Sequence, residues 1–235
     1  MIVSISQPAY LPWIGYFDRI ARSDVHIVLD DVPLERGSTT RFTNRNRIKT
    51  PNGAMWLTIP VKTAGLGQPL IRDVVIDNEV QWRRKHMNAV KGNYSRAPFF
   101  EDHCSWLRKF FEAKWDSLAS AIGVSNEYFF RALQISTPRI LSSAMAATGA
   151  KSDYILNLCR EVGATQYLSG PFGEDYLEAE KFAEAGIEIR FHRYGHPTYS
   201  QLHGGFVANL SVIDLLLNEG PRSAGIIGAA DRGSR

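Results

Sequence analysis

The feature that most constrains the fold is an N-terminal alternation of apolar, β-branched runs with a helical segment. Residues 2–6 form the first run, which ends before Pro8 because proline cannot continue a central strand. Apolar spacing then predicts a helix from residue 14, and residues 25–29 form a second run that closes at Asp30. A unit of about thirty residues has the size of a right-handed crossover between parallel strands.

The same rhythm returns in the C-terminal half of the chain. The patterns predict strands at 140–141, 166–168 and 187–191 and helices at 151–162, 174–185 and 211–218. Strands that alternate with helices favour an α/β fold with a Rossmann-like, mostly parallel sheet covered on both faces.

The chain of 235 residues is short enough for a single core, so we expect one α/β domain over residues 1–220. Helical periodicity dominates at about 79–134, which predicts a mainly helical insertion. The Gly- and Ala-rich residues 221–235 are expected to form a flexible tail.

Two segments between the first crossover and the insertion also carry predictions. Residues 33–51 are polar and irregular, which is typical of a long functional loop. Residues 56–61 and 71–76 resemble strands joined by a Gly-rich connection, which predicts a hairpin.

Composition narrows the class of partner. A net charge of +3 is too weak to indicate nucleic acid, and a small or modestly anionic ligand stays open. The two cysteines show no C-x-x-C or disulfide-rich arrangement, which favours a reducing compartment. Neither a leader peptide nor an apolar run of membrane-spanning length is visible, so we expect a cytoplasmic protein without a membrane span.

The loop after the first strand is the first candidate site, because ligands of open parallel sheets lie beyond the carboxyl ends of strands. Gln7, Tyr10, Trp13 and Tyr16 are its candidate substrate-binding residues. The N-terminus of the following helix presents free N–H groups that favour an anion. The alternative is a stiff connector whose aromatic side chains fill the core.

Two further loops contribute candidate ligand contacts. Asn44, Arg45 and Asn46 combine a bidentate cation with amide donors, which suits a phosphorylated or sugar-like ligand, although a solvated charged loop is the alternative. Ser169 follows a predicted strand but lacks the G-x-S-x-G context of a nucleophile. We therefore expect Ser169 to contact a ligand rather than to attack it.

The loop after the last predicted strand contains His192, His196 and His203. These histidines have no i, i+4 helical pairing and no nearby carboxylate, so we expect no metal site. Histidine suits a general base at neutral pH, and His196 is the first candidate, with Tyr199 and Gln201 as substrate contacts.

Two more residues are candidates for the catalytic group. His86 lies on a predicted helix and can share the role of base, although an amphipathic surface helix explains it equally well. Asp30 follows the second predicted strand and can orient a histidine or accept from a hydroxyl. A turn-forming role is the alternative for Asp30.

The chain resembles the WbqC-like protein family from residue 2 to about residue 220, with the order of its motifs kept. The motifs are QPAYLPWIGYF (7–17), LDDV (29–32), NRN (44–46), YLSG (167–170), YSQ (199–201) and LSVIDLL (210–216). Members of the family typically occur among bacterial O-antigen, surface-polysaccharide and natural-product biosynthesis genes. The resemblance therefore implies a biosynthetic role without defining a reaction.

A weaker resemblance concerns the fold of nucleotidylyltransferases, whose first turn carries a P-x-H-x-G-H motif that binds triphosphate. Aligned on Gly15, Trp13 and Tyr16 occupy the two histidine positions, and Pro12 stands one residue after the position of the motif proline. The topology is expected to be similar. Adenylyl transfer is disfavoured because these aromatic residues cannot supply the donors that a leaving pyrophosphate needs.

These patterns lead to the hypothesis of an acyl- or aminoacyl-type transferase acting on an amine or hydroxyl in surface-glycan or specialised-metabolite biosynthesis. Its substrate is small or carrier-bound, an acyl carrier protein being one such partner, and the sequence identifies no cofactor. Two alternatives stay open: a non-catalytic ligand-binding or scaffold protein, and a nucleotide-dependent ligase or nucleotidylyltransferase-like enzyme.

Overall fold

A parallel sheet forms the centre of the computed structural model, which describes residues 1–35, 42–62 and 67–229. The strands, in chain order, are β1 Ile2–Ser6, β2 Val25–Val28, β3 Arg45–Thr50, β4 Gly53–Thr58, β5 Arg139–Leu141, β6 Gln166–Ser169 and β7 Glu188–Phe191. Within these described ranges, β5, β2, β1, β6 and β7 form the parallel sheet in that order, and β3 and β4 form a separate antiparallel pair.

Helices cover the sheet and fill the segments between its strands. Their bounds are α1 Ile14–Ala21, α2 Trp82–Tyr94, α3 Phe100–Glu112, α4 Leu118–Ala132, α5 Lys151–Glu161, α6 Ala179–Glu184, α7 Val212–Glu219 and α8 Ser223–Ala229. Short 3-10 turns occur at Ile71–Asp73, Ser142–Ala144, Pro171–Asp175 and Gly220–Arg222. The Rossmann-like, mostly parallel architecture predicted from the sequence is therefore confirmed. The segment 79–134 contains α2, α3 and α4.

The strand order reverses between β1 and β6. From β1 the chain builds outward through β2 to β5, and it then returns to the other side of β1 with β6 and β7. In the register, Ile5 lies opposite Ile27 of β2 and Val3 lies opposite Tyr167 of β6. This reversal creates a crevice beyond the carboxyl ends of β1 and β6, where ligands of such sheets bind.

Two clusters of buried apolar side chains stabilise the layers. The larger one joins the first loop and α1 to the helices of residues 82–132 and to α7, and its members include Tyr10, Phe17 and Phe129. The other joins the sheet to α5 and α6 through residues such as Val3 and Phe182. Each large apolar side chain buried in this way contributes roughly 1.5–3 kcal/mol to the free energy of unfolding.

The hairpin lies earlier in the chain than the sequence pattern indicated. β3 and β4 pair from Arg45 opposite Thr58 to Thr50 opposite Gly53, so residues 45–50 are a strand rather than part of a loop. The inward positions of β3 include Asn46 and Ile48, both fully buried, and the amide of Asn46 conceals the alternation that marks a strand. The predicted second strand is instead the 3-10 turn Ile71–Asp73.

The C-terminal segment begins with ordered structure. The turn Gly220–Arg222 leads into α8, which packs against α1 and buries Ile227. Residues 230–235 of the expected tail lie outside the described residues. No helix in the described ranges is long and apolar enough to cross a membrane.

Candidate functional site

A cavity of about 470 Å³ lies at the crevice where the strand order reverses. Its floor includes the ends of β1 and β6, one wall comes from α1, and the opposite wall comes from residues 169–176. Phe42, Arg47 of β3, His192 after β7 and Asn209 also line it. The first crossover, the arginine-asparagine segment and the late histidine-containing segment therefore border one cavity.

Arg19 of α1 is the central charged group of this cavity. The phenol groups of Tyr16, Tyr167 and Tyr176 are near its guanidinium, and burial lowers the pKa of Arg19. Its Nε is buried without a hydrogen-bond partner, and among the described residues no carboxylate forms an ion pair with it. Arginine stays protonated at neutral pH, and a largely buried cation without a counter-ion is costly. The site therefore favours an anion.

Gly170 makes room for this guanidinium. A Cβ at position 170 would collide with Nη1 of Arg19. Gly170 begins the turn after β6 and lines the cavity together with Arg19. Because glycine has no side chain, residue 170 leaves free the space that the Arg19 guanidinium occupies.

Arg47 supplies a second cation from a separate element. Its Nη2 donates to the carbonyl oxygen of Asn209 at 3.4 Å, and its Nε is buried without a partner. The guanidinium carbon lies 5.5 Å from the ring centroid of Trp56 on β4. The cavity thus has guanidinium groups from both α1 and β3.

His192 and Asp18 form a buried pair at the cavity wall. Nε2 of His192 lies 2.6 Å from Oδ2 of Asp18, and Nε of Arg22 lies 2.7 Å from the same oxygen. The backbone of His192 donates to the carbonyl oxygen of Ser169 at 2.8 Å, which anchors it at the end of the sheet. When Nε2 donates its proton to this carboxylate, Nδ1 is the ring nitrogen that is left to accept a proton. Such a ring can remove a proton from a bound hydroxyl or amine.

Aromatic side chains line the cavity and its rim. The indole of Trp13 packs so closely over Gly15 that a Cβ there would collide with it. This ring therefore covers the first turn of α1, where the sequence suggested an anion, and leaves Arg19 and Arg47 as the cations of the site. Phe172 and Tyr176 are 61% and 46% exposed at the mouth of the cavity, where they can stack on a planar ligand.

Three of the predicted substrate-binding residues line this cavity, namely Trp13, Tyr16 and Ser169. Tyr16 is buried with its ring edge-on to His26 at a centroid distance of 6.0 Å. Ser169 is also buried, and its hydroxyl donates to the carbonyl oxygen of Gly170 at 3.0 Å. That bond engages the hydroxyl proton, and the role of Ser169 as a ligand contact stays a prediction.

Tyr10 and His86 lie in the core instead of lining the cavity. The Tyr10 hydroxyl is 2.9 Å from Nδ1 of His86, and Trp82 and Phe111 pack edge-on against the imidazole. Burial lowers the pKa of His86 to about 4. The pair joins the first loop to α2 and does not line the cavity.

Tyr199 and Gln201 bind a buried carboxylate. The Tyr199 hydroxyl and Nε2 of Gln201 donate to Oδ2 of Asp214 at 2.9 and 2.8 Å, and the Tyr94 hydroxyl donates to Oδ1 at 2.8 Å. Burial raises the pKa of Asp214. Nζ of Lys49 donates to the carbonyl oxygens of residues 204 and 205 and so holds the same segment. This network fastens residues 199–207 to α7 and β3 and does not line the cavity.

The ring of His196 packs between Trp13 and Tyr199. Its ring stacks on Trp13 at 6.5 Å and on Tyr199 at 6.2 Å between centroids. Nδ1 is 2.9 Å from the carbonyl oxygen of Pro197, Nε2 is buried without a partner, and burial lowers the pKa of His196. Since His192 lines the cavity and His196 does not, His192 replaces it as our candidate base.

The remaining predicted contacts connect the hairpin to its surroundings. Nδ2 of Asn44 donates to the carbonyl oxygen of Ile59 at 2.8 Å, and Nδ2 of Asn46 donates to that of Leu11 at 2.7 Å. The guanidinium of Arg45 lies 4.4 Å from the centroid of the Trp56 ring. Arg47, two residues further along β3, is the member of this segment that lines the cavity.

Gln7 and Asp30 also engage neighbouring segments. Oε1 of Gln7 accepts from the Thr43 hydroxyl at 3.2 Å. Asp30 accepts from the Ser143 backbone and hydroxyl at 3.0 and 2.7 Å and from the Ser142 hydroxyl at 3.1 Å. These bonds hold the turn after β5, a structural role for Asp30.

Sequence reasoning missed Asp18, Arg19 and Arg47 and passed over His192. The sequence did contain one signal for Arg19. It lies four residues after Gly15 and three after Tyr16, a spacing that places it on the same face of the helix as these two residues. The partner of His192 lies 174 positions earlier in the chain, so no local pattern marks the pair. Within the described ranges, no group of three or more His, Cys, Asp or Glu side chains has an arrangement that could hold a metal ion.

The comparison with protein families agrees with this architecture. The model of the WbqC-like protein family matches residues 7–226. The chain belongs to the WbqC-like protein family. This WbqC-like chain is also 35% identical over 223 residues to "Uncharacterized protein Rv1507c" of Mycobacterium tuberculosis (strain ATCC 25618 / H37Rv), covering 93% of the chain and 94% of that protein. No solved structure matches it. The range matched by the WbqC-like model includes every cavity residue from Trp13 to Asn209.

Proposed function

We propose that this WbqC-like protein is a transferase that moves an acyl- or aminoacyl-type group from an anionic donor to an amine or hydroxyl. The setting proposed from the family resemblance is bacterial surface-glycan or specialised-metabolite biosynthesis. The observation that carries the proposal is that Arg19 and His192 line the same cavity, where His192 is paired with Asp18 and Arg19 has no counter-ion among the described residues.

The cations and aromatic rings suit the donor. Guanidinium groups bind phosphate bidentately, and Arg19 and Arg47 provide two of them. Phe172 and Tyr176 at the mouth offer apolar faces to a nucleobase or a pantetheine-like chain. A coenzyme A thioester combines these features in one molecule, and a carrier-bound acyl group shares its phosphopantetheine part.

His192 suits the acceptor side of the reaction. Its Nδ1 accepts a proton from the attacking amine or hydroxyl while Asp18 stabilises the imidazolium. The freed electron pair forms a bond to the acyl carbon, and the bond between that carbon and the thioester sulfur breaks. The thiolate leaves with its electron pair and receives the proton from His192, so charge and atoms balance.

Ligand-induced changes in melting temperature test the donor half. Acetyl coenzyme A is expected to raise the Tm of the wild type and to lose this effect in Arg19→Gln. The control is Arg131→Gln on α4, which removes an exposed guanidinium that pairs with Glu127. A shift with ATP but not with thioesters would favour a nucleotide-dependent enzyme, and no shift with thioesters, ATP or nucleotide sugars would contradict the proposal.

Turnover separates an enzyme from a binding protein. Release of free coenzyme A thiol from acetyl coenzyme A, measured against a panel of amines and sugars, is expected to need both the acceptor and His192. Thioester binding without release of thiol with any acceptor of the panel would favour the ligand-binding alternative.

A further inference from the structure

A second cavity of about 340 Å³ shares one lining residue, Tyr16, with the first. The two cavities are therefore neighbours at the same edge of the sheet. The second cavity lies beyond the ends of β2 and β5 and is closed by one face of α4, and its apolar lining includes Val28, Ile122, Phe130 and Leu141. Since the carboxyl edge of a parallel sheet is where ligands bind, both cavities occupy a position suited to substrate.

The charged groups of the second cavity already interact with neighbouring residues. Nη2 of Arg139 lies 2.8 Å from Oε2 of Glu127, and the Arg139 guanidinium also covers the Phe130 ring at 4.2 Å. The carboxylate of Asp30 accepts three hydrogen bonds from Ser142 and Ser143. An anion would therefore lose its hydration without gaining an unpaired cation here, and the Asp30 carboxylate already accepts hydrogen bonds from its neighbours, which favours a neutral occupant.

One polar atom in this lining lacks a partner. Asn126 is 6% exposed, and its Nδ2 donates to the carbonyl oxygen of Ala9 at 3.3 Å. Its Oδ1 is buried without a hydrogen bond among the described residues. A buried acceptor left unpaired is costly, so a ligand N–H or O–H that reaches it would be stabilising.

We propose that the second cavity binds a neutral, mainly apolar group of a small-molecule substrate, with a hydroxyl or amide N–H directed to Asn126. The contrast between the cavities supports this. In the first, the guanidinium groups form no ion pair with a carboxylate of the described residues, whereas in the second the arginine is paired and the walls are mainly apolar. The identification of this group as the acyl chain of the donor rests on the proposed function. The binding of a neutral apolar molecule in the cavity does not depend on that function.

The first experiment uses 1-hexanol as the probe and measures its affinity by NMR titration. We expect saturable binding to the wild type, and hexanoate, which carries a charge in place of the hydroxyl, is expected to bind this cavity about tenfold more weakly. Equal perturbation of residues around this cavity by the two probes, or no saturable perturbation there by 1-hexanol, would overturn the proposal.

A matched pair of variants tests the location. Gly123 lines the cavity on α4 with open space beyond its Cβ position, so Gly123→Leu adds a side chain there. Replacing a mid-helix glycine also favours the helix, which protects the fold. The control is Val124→Leu, at the next and exposed position of the same helix. Loss of 1-hexanol binding in Gly123→Leu alone is expected, and unchanged binding in Gly123→Leu would contradict the proposal.

A third measurement keeps the two proposals distinguishable. Arg19→Gln is expected to weaken acetyl coenzyme A and to leave 1-hexanol binding unchanged, whereas Gly123→Leu is expected to do the reverse. If thioesters fail to bind but 1-hexanol binds and responds to Gly123→Leu, the proposed function fails and the apolar site stands. If the Tm increase grows from acetyl to hexanoyl coenzyme A in the wild type but not in Gly123→Leu, the apolar group is the acyl chain. Equal gains in both proteins would overturn that assignment.

Discussion

Nε2 of His192 lies 2.6 Å from Oδ2 of Asp18, which joins the end of β7 to the middle of α1. Both side chains are almost completely buried, at 7% and 2% exposed. The bond bridges segments from the two halves of the sheet and sets the orientation of the imidazole in the cavity. The first two predictions depend on this pair.

Replacing the imidazole should remove the proton acceptor. His192→Gln is expected to lower the rate of thiol release from acetyl coenzyme A by about 10²–10⁴-fold, because general-base catalysis contributes that range. The control is His203→Gln, since His203 is held by the carbonyl oxygen of Asn93 and does not line the cavity. Equal rates for His192→Gln and wild type would eliminate His192 as the base.

Removing the charge of Asp18 should show whether its carboxylate assists His192 in catalysis or only stabilises the fold. Asp18→Asn is expected to lower kcat while the KM for the donor stays close to that of the wild type, because the carboxylate acts on His192 rather than on the donor. Arg22→Gln is the matched control, since it removes the other partner of the same carboxylate oxygen. A comparable loss of kcat in Arg22→Gln would show that Asp18 acts through the fold.

The close approach of residue 170 to Arg19 predicts a binding defect without loss of the cation. Gly170→Ala is expected to displace the guanidinium and to raise the Kd for acetyl coenzyme A about tenfold or more, measured by calorimetry. Gly195→Ala serves as the control, because a Cβ there meets open space. Unchanged affinity in Gly170→Ala would mean that the position of Arg19 does not govern binding.

Stability should fall in mild acid because of buried histidines. Burial lowers the pKa of His86 from 6.5 to about 4, and that of His26 to about 3. The unfolded chain therefore binds more protons than the folded one between these values. The contribution of His86 is complete above pH 6.5 and is lost as the pH falls towards 4, up to about 3 kcal/mol.

Urea unfolding at a series of pH values between 7 and 4 measures this loss. His86→Gln should reduce the pH dependence of the free energy of unfolding and leave the part that His26 contributes. Met87→Leu is the control because it changes the neighbouring residue of α2 without altering a titratable group. An identical pH dependence in His86→Gln and wild type would refute the assignment.

The network around Asp214 should affect stability and not binding. Tyr199→Phe removes one of three donors to a fully buried carboxylate and is expected to lower the free energy of unfolding by about 1–3 kcal/mol. Chemical denaturation measures this loss. Acetyl coenzyme A should still raise the Tm of the variant by the same amount. Loss of that increase would place Tyr199 in ligand binding.

Local patterns of apolar residues were sufficient to predict the parallel sheet but not the β3–β4 hairpin. The apolar runs at residues 2–6 and 25–29 are buried on both faces of a parallel sheet, so their composition alone marks them as strands. β3 reads RNRIKT, and its buried positions include Asn46 and Lys49. Both side chains donate to backbone carbonyl oxygens from distant segments. Because these side chains are polar, the sequence pattern contained no sign that they are buried. Their burial depends on hydrogen bonds to segments that are distant in the chain.

The candidate site divides in a similar way. Trp13, Tyr16 and Ser169 follow or begin elements at the carboxyl edge, and the rule for ligands of open sheets was enough to select them. Tyr10, Tyr199 and Gln201 have equally suitable chemistry, but their polar atoms bind His86 and Asp214 in the interior. A side chain at the right end of an element still points in a direction that packing decides.

The order of apolar and polar residues along the chain determined an α/β architecture with a parallel sheet and a crevice at its carboxyl edge, since strand and helix formation depend on local periodicity. Only the tertiary structure decided which groups face that crevice. Asp18 and Arg19 come from α1, Arg47 from β3 and His192 from the segment after β7. Their roles depend on which charges find partners and which do not, and such pairing over more than a hundred residues is a property of the folded molecule rather than of any local segment.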